Sequence, residues 1–382
     1  LKILADENIA YVYEIFKNTG NVLRVPSKKI INKELLDTEC LIIRSVTKIH
    51  KKLIKDTSLK FIGTATSGTD HIDKDLLTRS GIAFSSTPGC NAIAVAEYVF
   101  TSLLFLAEYN NFQIKDLVIG IIGVGNIGSY LNKILKAWGV ETLLCDPPRF
   151  DKGEKGNFYT LNQIIENANV ITFHTPLYNE GKYKTLHMVD KKMLLSLKPN
   201  TILINSCRGA VINNKELVDV MKIRNDIKVI IDVWEKEPRL LHNLLNRTSI
   251  ATAHIAGHTL EAKIRATIKL YAEWCKLINK SNKFHKDEVN IFLSQPKFNN
   301  IILHGNITQS VLKKLVSLVY DVYVDDNLLR HAIRLKSFSF NALRNNYRDR
   351  REWFSLKVVC DTYQSYKILK KIGFNAIFQE NI

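Results

Sequence analysis

Residues 116–138 read DLVIGIIGVGNIGSYLNKILKAW, and this stretch decides the fold. Its first part, 117–122, is almost wholly apolar, as a strand buried on both faces must be. Gly123, Gly125 and Gly128 follow in G-x-G-x-x-G spacing, and Ile127, Leu131, Ile134 and Trp138 then recur at helical spacing. The glycines therefore fall at a strand-to-helix turn, the setting in which this spacing binds a dinucleotide. Gly123 permits the tight turn, Gly125 lets backbone approach a pyrophosphate, and Gly128 lets helix and strand pack closely. The free N–H groups of the first helical turn face the phosphates. Asp146 follows eighteen residues after Gly128, at the end of the apolar run 142–145. A carboxylate there accepts both ribose hydroxyls and repels a 2′-phosphate, which favours NAD over NADP. An Asp before Pro147 and Pro148 also suits a turn.

Outward from this stretch, further apolar runs recur at the spacing of β–α units: 170–173, 201–204, 228–233 and 249–252. With 117–122 and 142–145 they make six strands, the count of a full doubly wound dinucleotide fold. Each later run ends in a polar cluster: His174-Thr175-Pro176, Asn205-Ser206-Cys207-Arg208-Gly209, Asp232 to Pro238, and Ala253 to His258. Parallel strands bring these clusters to one sheet edge. Residues 1–90 show shorter runs at 2–4, 41–43, 60–63 and 82–84, alternating with helix-like segments. They predict a small parallel α/β domain. Two of its loops, 44–47 and 64–70, are rich in hydroxyls and suit an anionic ligand as well as ordinary turn chemistry. A long apolar helix is expected over 92–108, and a second over 259–279 with Thr259 as N-cap. Residues 280–300 are polar, contain Pro296 and read as a linker. The rest restarts as a separate α/β module: strand 301–304, helix 309–322, a basic helix near 343–351, strand 356–360, helix 363–372 and strand 376–378.

Oxidising a 2-hydroxy acid makes three demands. A base takes the hydroxyl proton, a cation holds the carboxylate, and a nicotinamide is aimed at C2. Histidine, with an ordinary pKa of ~6.5, suits the first role, and His254 follows an apolar run. A carboxylate beside it, Glu237 or Glu235, would orient the ring. Arg208 offers a planar fork that matches a carboxylate. No metal is required, and the cysteines form no C-x-x-C or Cys/His cluster.

Composition bounds the alternatives. A chain of 382 residues, 46% hydrophobic and 24% charged, predicts two or three globular domains. Six isolated cysteines read as reduced thiols, and the first residues, LKILADEN, carry acids and no apolar core. A cytoplasmic protein without a membrane partner is the expectation. The net charge of +17 is spread along the chain without an arm or repeated motif. It reads as a lysine-rich solvated surface, so no nucleic-acid partner is expected.

GVGNIG at 123–128, HTP at 174–176, NSCRG around Arg208, DVWEKEP around Glu237 and HIAG at 254–257 together resemble the D-2-hydroxyacid dehydrogenases. The resemblance implies the catalytic set Arg208, Glu237 and His254, with the acid directly before Pro. It implies that Asp232 hydrogen-bonds the nicotinamide carboxamide. It also implies that Asn126, Ile127, Asp146, Thr175, Ser206, Cys207, Arg208 and Gly257 line the NAD site with the fingerprint glycines. LADENIAY, RSVTK, GTATSGTDHID, STPGCNAIAVAEYV, LLCDPPR and LRNNYRDRREW resemble one branch of that family along essentially the whole chain. The branch implies oxidation of 4-phospho-D-erythronate at C2 to (R)-3-hydroxy-2-oxo-4-phosphobutanoate, on the way to pyridoxal 5′-phosphate. It places Ser45 and Thr66 on the substrate and His258 where the family has a substrate-contacting Tyr. Three domains are then expected: a flavodoxin-like substrate domain (1–91 plus 259–285), an NAD domain (92–258) and a C-terminal domain (286–382) that forms a homodimer. Arg344, Arg348, Arg350 and Arg351 suit a solvated or dimer-facing surface, and the alternative is that one of them reaches the substrate phosphate across that dimer. Oxidation of 3-phosphoglycerate is the close alternative, and a non-enzymatic NAD-sensing protein the distant one.

Overall fold

The computed structural model describes residues 1–284, 288–294 and 300–380. Pro296 and much of the polar stretch around it lie outside these residues. The chain forms two compact units, Leu1–Asn91 with Thr259–Ser294, and Ala92–His258 with Gln295–Ile382.

The first unit is built on five parallel strands: β1 (Lys2–Asp6), β2 (Asn21–Val25), β3 (Cys40–Ile43), β4 (Phe61–Thr64) and β5 (Ala83–Ser85). Their order is β2-β1-β3-β4-β5, the flavodoxin arrangement. Successive side chains of a strand point to opposite faces, and here both faces are apolar. Ile3, Ala5, Ile42 and Phe61 pack with Ile264, Ile268, Tyr271 and Trp274 of helix Leu260–Leu277. Leu4, Leu41, Ile43 and Ile62 pack on the other face with Leu35, Leu53 and Leu77. Thr259 caps the long helix by accepting the Ala262 N–H. β2 had no counterpart in the sequence reading, and its burial pattern is that of a half-exposed edge strand.

The second unit contains six parallel strands: β6 (Val118–Ile122), β7 (Glu141–Cys145), β8 (Val170–Phe173), β9 (Ile202–Asn205), β10 (Lys228–Ile231) and β11 (Ile250–Ala251). Their order, β11-β10-β9-β8-β6-β7, reverses direction between β6 and β8. The C-terminal ends flanking such a reversal are where ligands bind in open α/β sheets. Ile119, Ile121, Ile202 and Ile204 face one core, and Ile171, Phe173, Leu203 and Ile231 the other.

Helix Ala92–Asn110 is long and apolar enough to cross a bilayer, yet 83% of its apolar window is buried, as in a core helix. Residues 300–380, read above as a module apart, share that core. Their sheet is parallel, β12 (Asn300–Leu303), β13 (Lys357–Cys360) and β14 (Asn375–Phe378). Leu312, Trp353, Val358 and Phe374 pack in one cluster with Phe100, Leu104, Leu131 and Trp138. Glu97, inside the apolar helix and 4% exposed, accepts the Trp353 N–H. Asp326 accepts the Ala251 N–H of edge strand β11, which would otherwise be open for pairing.

Two elements depart from expectation. The helix foreseen over 309–322 is two, Gln309–Val319 and Val322–Ala332, because Asp321 caps a new start by accepting the Tyr323 N–H. The basic helix foreseen near 343–351 is only Phe340–Asn345, so Arg348, Arg350 and Arg351 follow it in non-helical backbone.

Candidate active site

The fingerprint turn has the geometry its spacing predicts. Gly123 has φ +89, and a Cβ on Gly128 would stand 2.1 Å from the Gly123 carbonyl oxygen, so a side chain at either position displaces backbone. Around Gly125 there is open space. Asn126 and Ile127 begin the helix Asn126–Trp138, whose first N–H groups point out of the turn. Asp146 ends β7. Its Oδ2 accepts the Val124 N–H at 2.7 Å, which ties it to the glycine turn, and it caps the short helix Pro147–Asp151. Asp146 thus shapes the turn before Pro147 and Pro148 and stands at the edge of the glycine turn.

The next strand ends bring the other expected cofactor residues to the same edge. Thr175 follows β8 and packs near Gly123. Burial holds His174 near a pKa of about 3, so its ring stays neutral. After β9, the Asn205 side chain donates to the Arg208 carbonyl and accepts the Cys207 N–H, shaping the loop that carries Ser206, Cys207 and Arg208. Burial raises the Cys207 thiol, which therefore remains protonated. Ser206 Oγ is buried and has no hydrogen-bond partner among the described residues. A buried orphan hydroxyl is costly unless a ligand satisfies it. With the open approach at Gly125 and the helix N-terminus, it fits a dinucleotide along this edge.

Arg208, Glu237 and His254 lie beyond three adjacent strands, β9, β10 and β11. Gly209 lets the β9 loop meet the next one, since a Cβ there would fall 2.0 Å from the Trp234 backbone. Glu237 uses both oxygens: Oε1 accepts the Trp234 N–H at 2.8 Å, and Oε2 lies 2.8 Å from His254 Nδ1. An ionised carboxylate only accepts, so Nδ1 carries the proton and the neutral ring keeps its lone pair on Nε2. Burial pushes Glu237 up, but the hydrogen bond and charge of His254, the Trp234 N–H and the charge of Arg344 outweigh it. Its carboxyl therefore lies below the ordinary value and stays ionised. Glu235 is engaged elsewhere, with His187 at 2.8 Å and the Asn214 N–H at 3.0 Å. Asp232, 1% exposed, accepts from Thr252 Oγ1, the Ile255 N–H and the Ala256 N–H.

Comparisons with known proteins bear on what this sheet edge does. Residues 105–256 match the family described as D-isomer specific 2-hydroxyacid dehydrogenase, NAD binding domain. Residues 292–373 match a domain of unknown function (DUF3410). Erythronate-4-phosphate dehydrogenase of Enterobacter sp. (strain 638) is 48% identical over 377 residues, 99% of each chain. The chain belongs to the erythronate-4-phosphate dehydrogenase family. The enzyme of that name from Shigella flexneri serotype 5b (strain 8401) is 47% identical over the same 99% of each chain. Among solved structures, NAD⁺-bound 3-phosphoglycerate dehydrogenase of Entamoeba histolytica has a TM-score of 0.64 at 24% identity. It covers 75% of this chain and 98% of that one, and shows the shared fold. As a member of the erythronate-4-phosphate dehydrogenase family, the chain is an NAD-dependent oxidoreductase.

The residues expected from sequence to contact the substrate lie partly in the first unit. Ser45 follows β3 and is exposed, and Thr66 follows β4, with Thr64 Oγ1 2.8 Å from its hydroxyl. Adjacent strands place their loops side by side. Arg44, beside Ser45, was not singled out from sequence. Its Nε lies 3.1 Å from the fully buried Asp6 carboxylate, which fixes a cation at the same strand edge. In the second unit the His258 ring meets the Tyr347 ring at 6.0 Å, edge to face, and the His258 N–H donates to the Ile255 carbonyl. Gly257 lies in the same turn. The C-terminal arginines part company. Arg350 is 3% exposed with its guanidinium 4.4 Å from the Tyr320 ring, and Arg348 pairs with Asp325. Arg344 Nε donates to the His254 carbonyl at 3.3 Å. A buried Arg350 is no ligand for a phosphate across a dimer.

Proposed function

We propose that this protein oxidises 4-phospho-D-erythronate at C2, giving (R)-3-hydroxy-2-oxo-4-phosphobutanoate on the route to pyridoxal 5′-phosphate. The observation that carries the reading is the 2.8 Å pair of Glu237 and His254 next to the Arg208 loop of a dinucleotide sheet. The whole-chain likeness to enzymes named for this substrate supports it.

Arg208 holds the substrate carboxylate through its planar fork. His254 Nε2, left with a lone pair by the Glu237 bond, takes the C2 hydroxyl proton as the carbonyl forms. Glu237 stabilises the imidazolium so produced and keeps the ring aimed. NAD⁺, when bound, accepts the hydride released from C2. Gly123, Gly125, Gly128, Asn126 and Ile127 would hold its pyrophosphate, and Asp146 would accept from the adenosine ribose and disfavour NADP. Thr175, Ser206, Cys207, Asp232 and Gly257 line the remainder.

Ser45 and Thr66 contact the substrate, Arg44 adds a cation for its anionic end, and His258 donates to it where the family has Tyr. The C-terminal stretch makes a homodimer in the cytoplasm. Exposed Val324, Leu328 and Leu335 on that stretch, 50%, 43% and 50% accessible, supply apolar surface for it.

The test is NADH formation from 4-phosphoerythronate set against 3-phosphoglycerate. The expected outcome is a kcat/KM at least tenfold higher for the four-carbon acid. Equal or reversed preference overturns the substrate assignment.

A further inference from the structure

His254 adopts φ +57, a left-handed backbone that a residue bearing a Cβ disfavours. What holds it there is a clamp on every peptide group from 254 to 256. On the donor side, the His254 N–H goes to the Asp232 carbonyl at 2.7 Å. The Ile255 and Ala256 N–H groups go to the two oxygens of the Asp232 carboxylate, at 2.8 and 3.0 Å. On the acceptor side, each carbonyl faces a guanidinium. Arg344 Nε donates to the His254 carbonyl at 3.3 Å, and Arg350 donates to those of Ile255 and Ala256.

Arg350 is itself fixed. It lies over the Tyr320 ring and also donates to the Ala94 carbonyl at 3.1 Å. Burial works against its charge, and the surrounding Tyr347, Tyr320, Asp325 and Glu97 outweigh that and keep it protonated. The rigid guanidinium plane so placed donates to the Ile255, Ala256 and Ala94 carbonyls at once. Both arginines belong to residues 292–373, outside the match to the dehydrogenase NAD domain at 105–256.

The direction of the His254 Cα–Cβ bond follows from its backbone, and that bond is the root from which χ1 and χ2 place Nε2. Glu237 holds the ring at Nδ1 but does not set where the Cα–Cβ bond lies. We infer that Arg344 and Arg350 are positioning residues for His254, holding the 254–256 carbonyls so that the left-handed backbone aims the imidazole at the substrate. This rests on the reading of His254 as the base. It makes the C-terminal stretch part of the machinery of proton transfer within a single chain.

The test uses the full-length protein with Arg344→Ala, Arg344→Lys and Arg350→Lys. Lysine keeps the charge of Arg350 but replaces its rigid planar fork with a point ammonium on a flexible stem. The expected result for Arg344→Ala and Arg350→Lys is a kcat at least tenfold lower, with KM for both substrates within twofold of wild type. Arg344→Lys, which can still donate to one carbonyl, recovers most of the rate. A second readout does not depend on turnover: the downfield Nδ1 proton resonance of the His254–Glu237 pair, followed by NMR. It is sharp in the wild type and broadened or lost in Arg344→Ala. Wild-type kcat and an unchanged resonance in folded Arg344→Ala overturn the inference, whether or not Arg350→Lys folds. A loss confined to KM overturns it too. Absence of NADH formation by the wild type, with the resonance still responding to Arg344→Ala, sinks the assignment of function and leaves the positioning of the ring intact.

Discussion

Glu237 shows how much one residue can be asked to do. One oxygen closes its own loop through Trp234 and the other fixes the tautomer of His254. Glu237→Gln keeps the shape and removes the charge that favours the imidazolium. We expect kcat to fall by roughly 100-fold or more, with KM for NAD nearly unchanged, in steady-state assays. The same carboxyl links stability to pH. Its folded value lies below the ordinary one, so its contribution is fully present above the unfolded pKa of ~4.3 and is lost as pH falls through the lowered folded value. The Tm advantage of wild type over Glu237→Gln should therefore shrink as pH drops below about 4. A difference that stays constant to acid pH in calorimetry would rule this linkage out. The choice between Glu235 and Glu237 was open from residue types alone. In space it is decided by the turn at Trp234, which sends one acid to His254 and the other to His187 and Asn214.

Among the elements, the turn from β6 into its helix is the least tolerant. Gly128→Ala would put a methyl 2.1 Å from the Gly123 oxygen, and only backbone can give way. We expect a loss of about 2 kcal/mol in denaturant unfolding together with a large rise in the Kd for NADH. A stable variant that binds NADH normally would mean that the helix sits farther from the strand than described. This turn was legible in sequence because its signal is local: an apolar run, three glycines and a helical repeat within 116–138. The strand-end clusters were legible for the same reason. β2 was not, since an edge strand reading NVLRV with Arg24 outward carries little apolar pattern. Nor was the break before Val322, which a single Asp cap makes inside an otherwise helical run. The clamp on His254 was wholly illegible. Its arginines stand 90 to 95 positions from the carbonyls they hold, and one of them, of the residue type that sequence reasoning sends to the surface, is buried.

At the scale of the molecule, residues 300–380 are not an addition to a finished domain. Phe100, Leu104, Leu131 and Trp138 share one core with Leu312, Trp353 and Phe374. A chain ending at residue 294 should fail to give a cooperative unfolding transition and should aggregate, by calorimetry and light scattering. A truncated protein that melts sharply and stays monodisperse would contradict the shared core. The buried contact of Glu97 with the Trp353 N–H bears on how such enzymes could exchange parts. Transplanting this C-terminal stretch onto a shorter dehydrogenase would bring an N–H that needs an acid in the recipient's central helix. Removing the stretch would take away the N–H that this carboxylate accepts and uncover the helix around it. Either graft has to rewrite the helix along with the piece, so donor and recipient are compatible only as a matched pair.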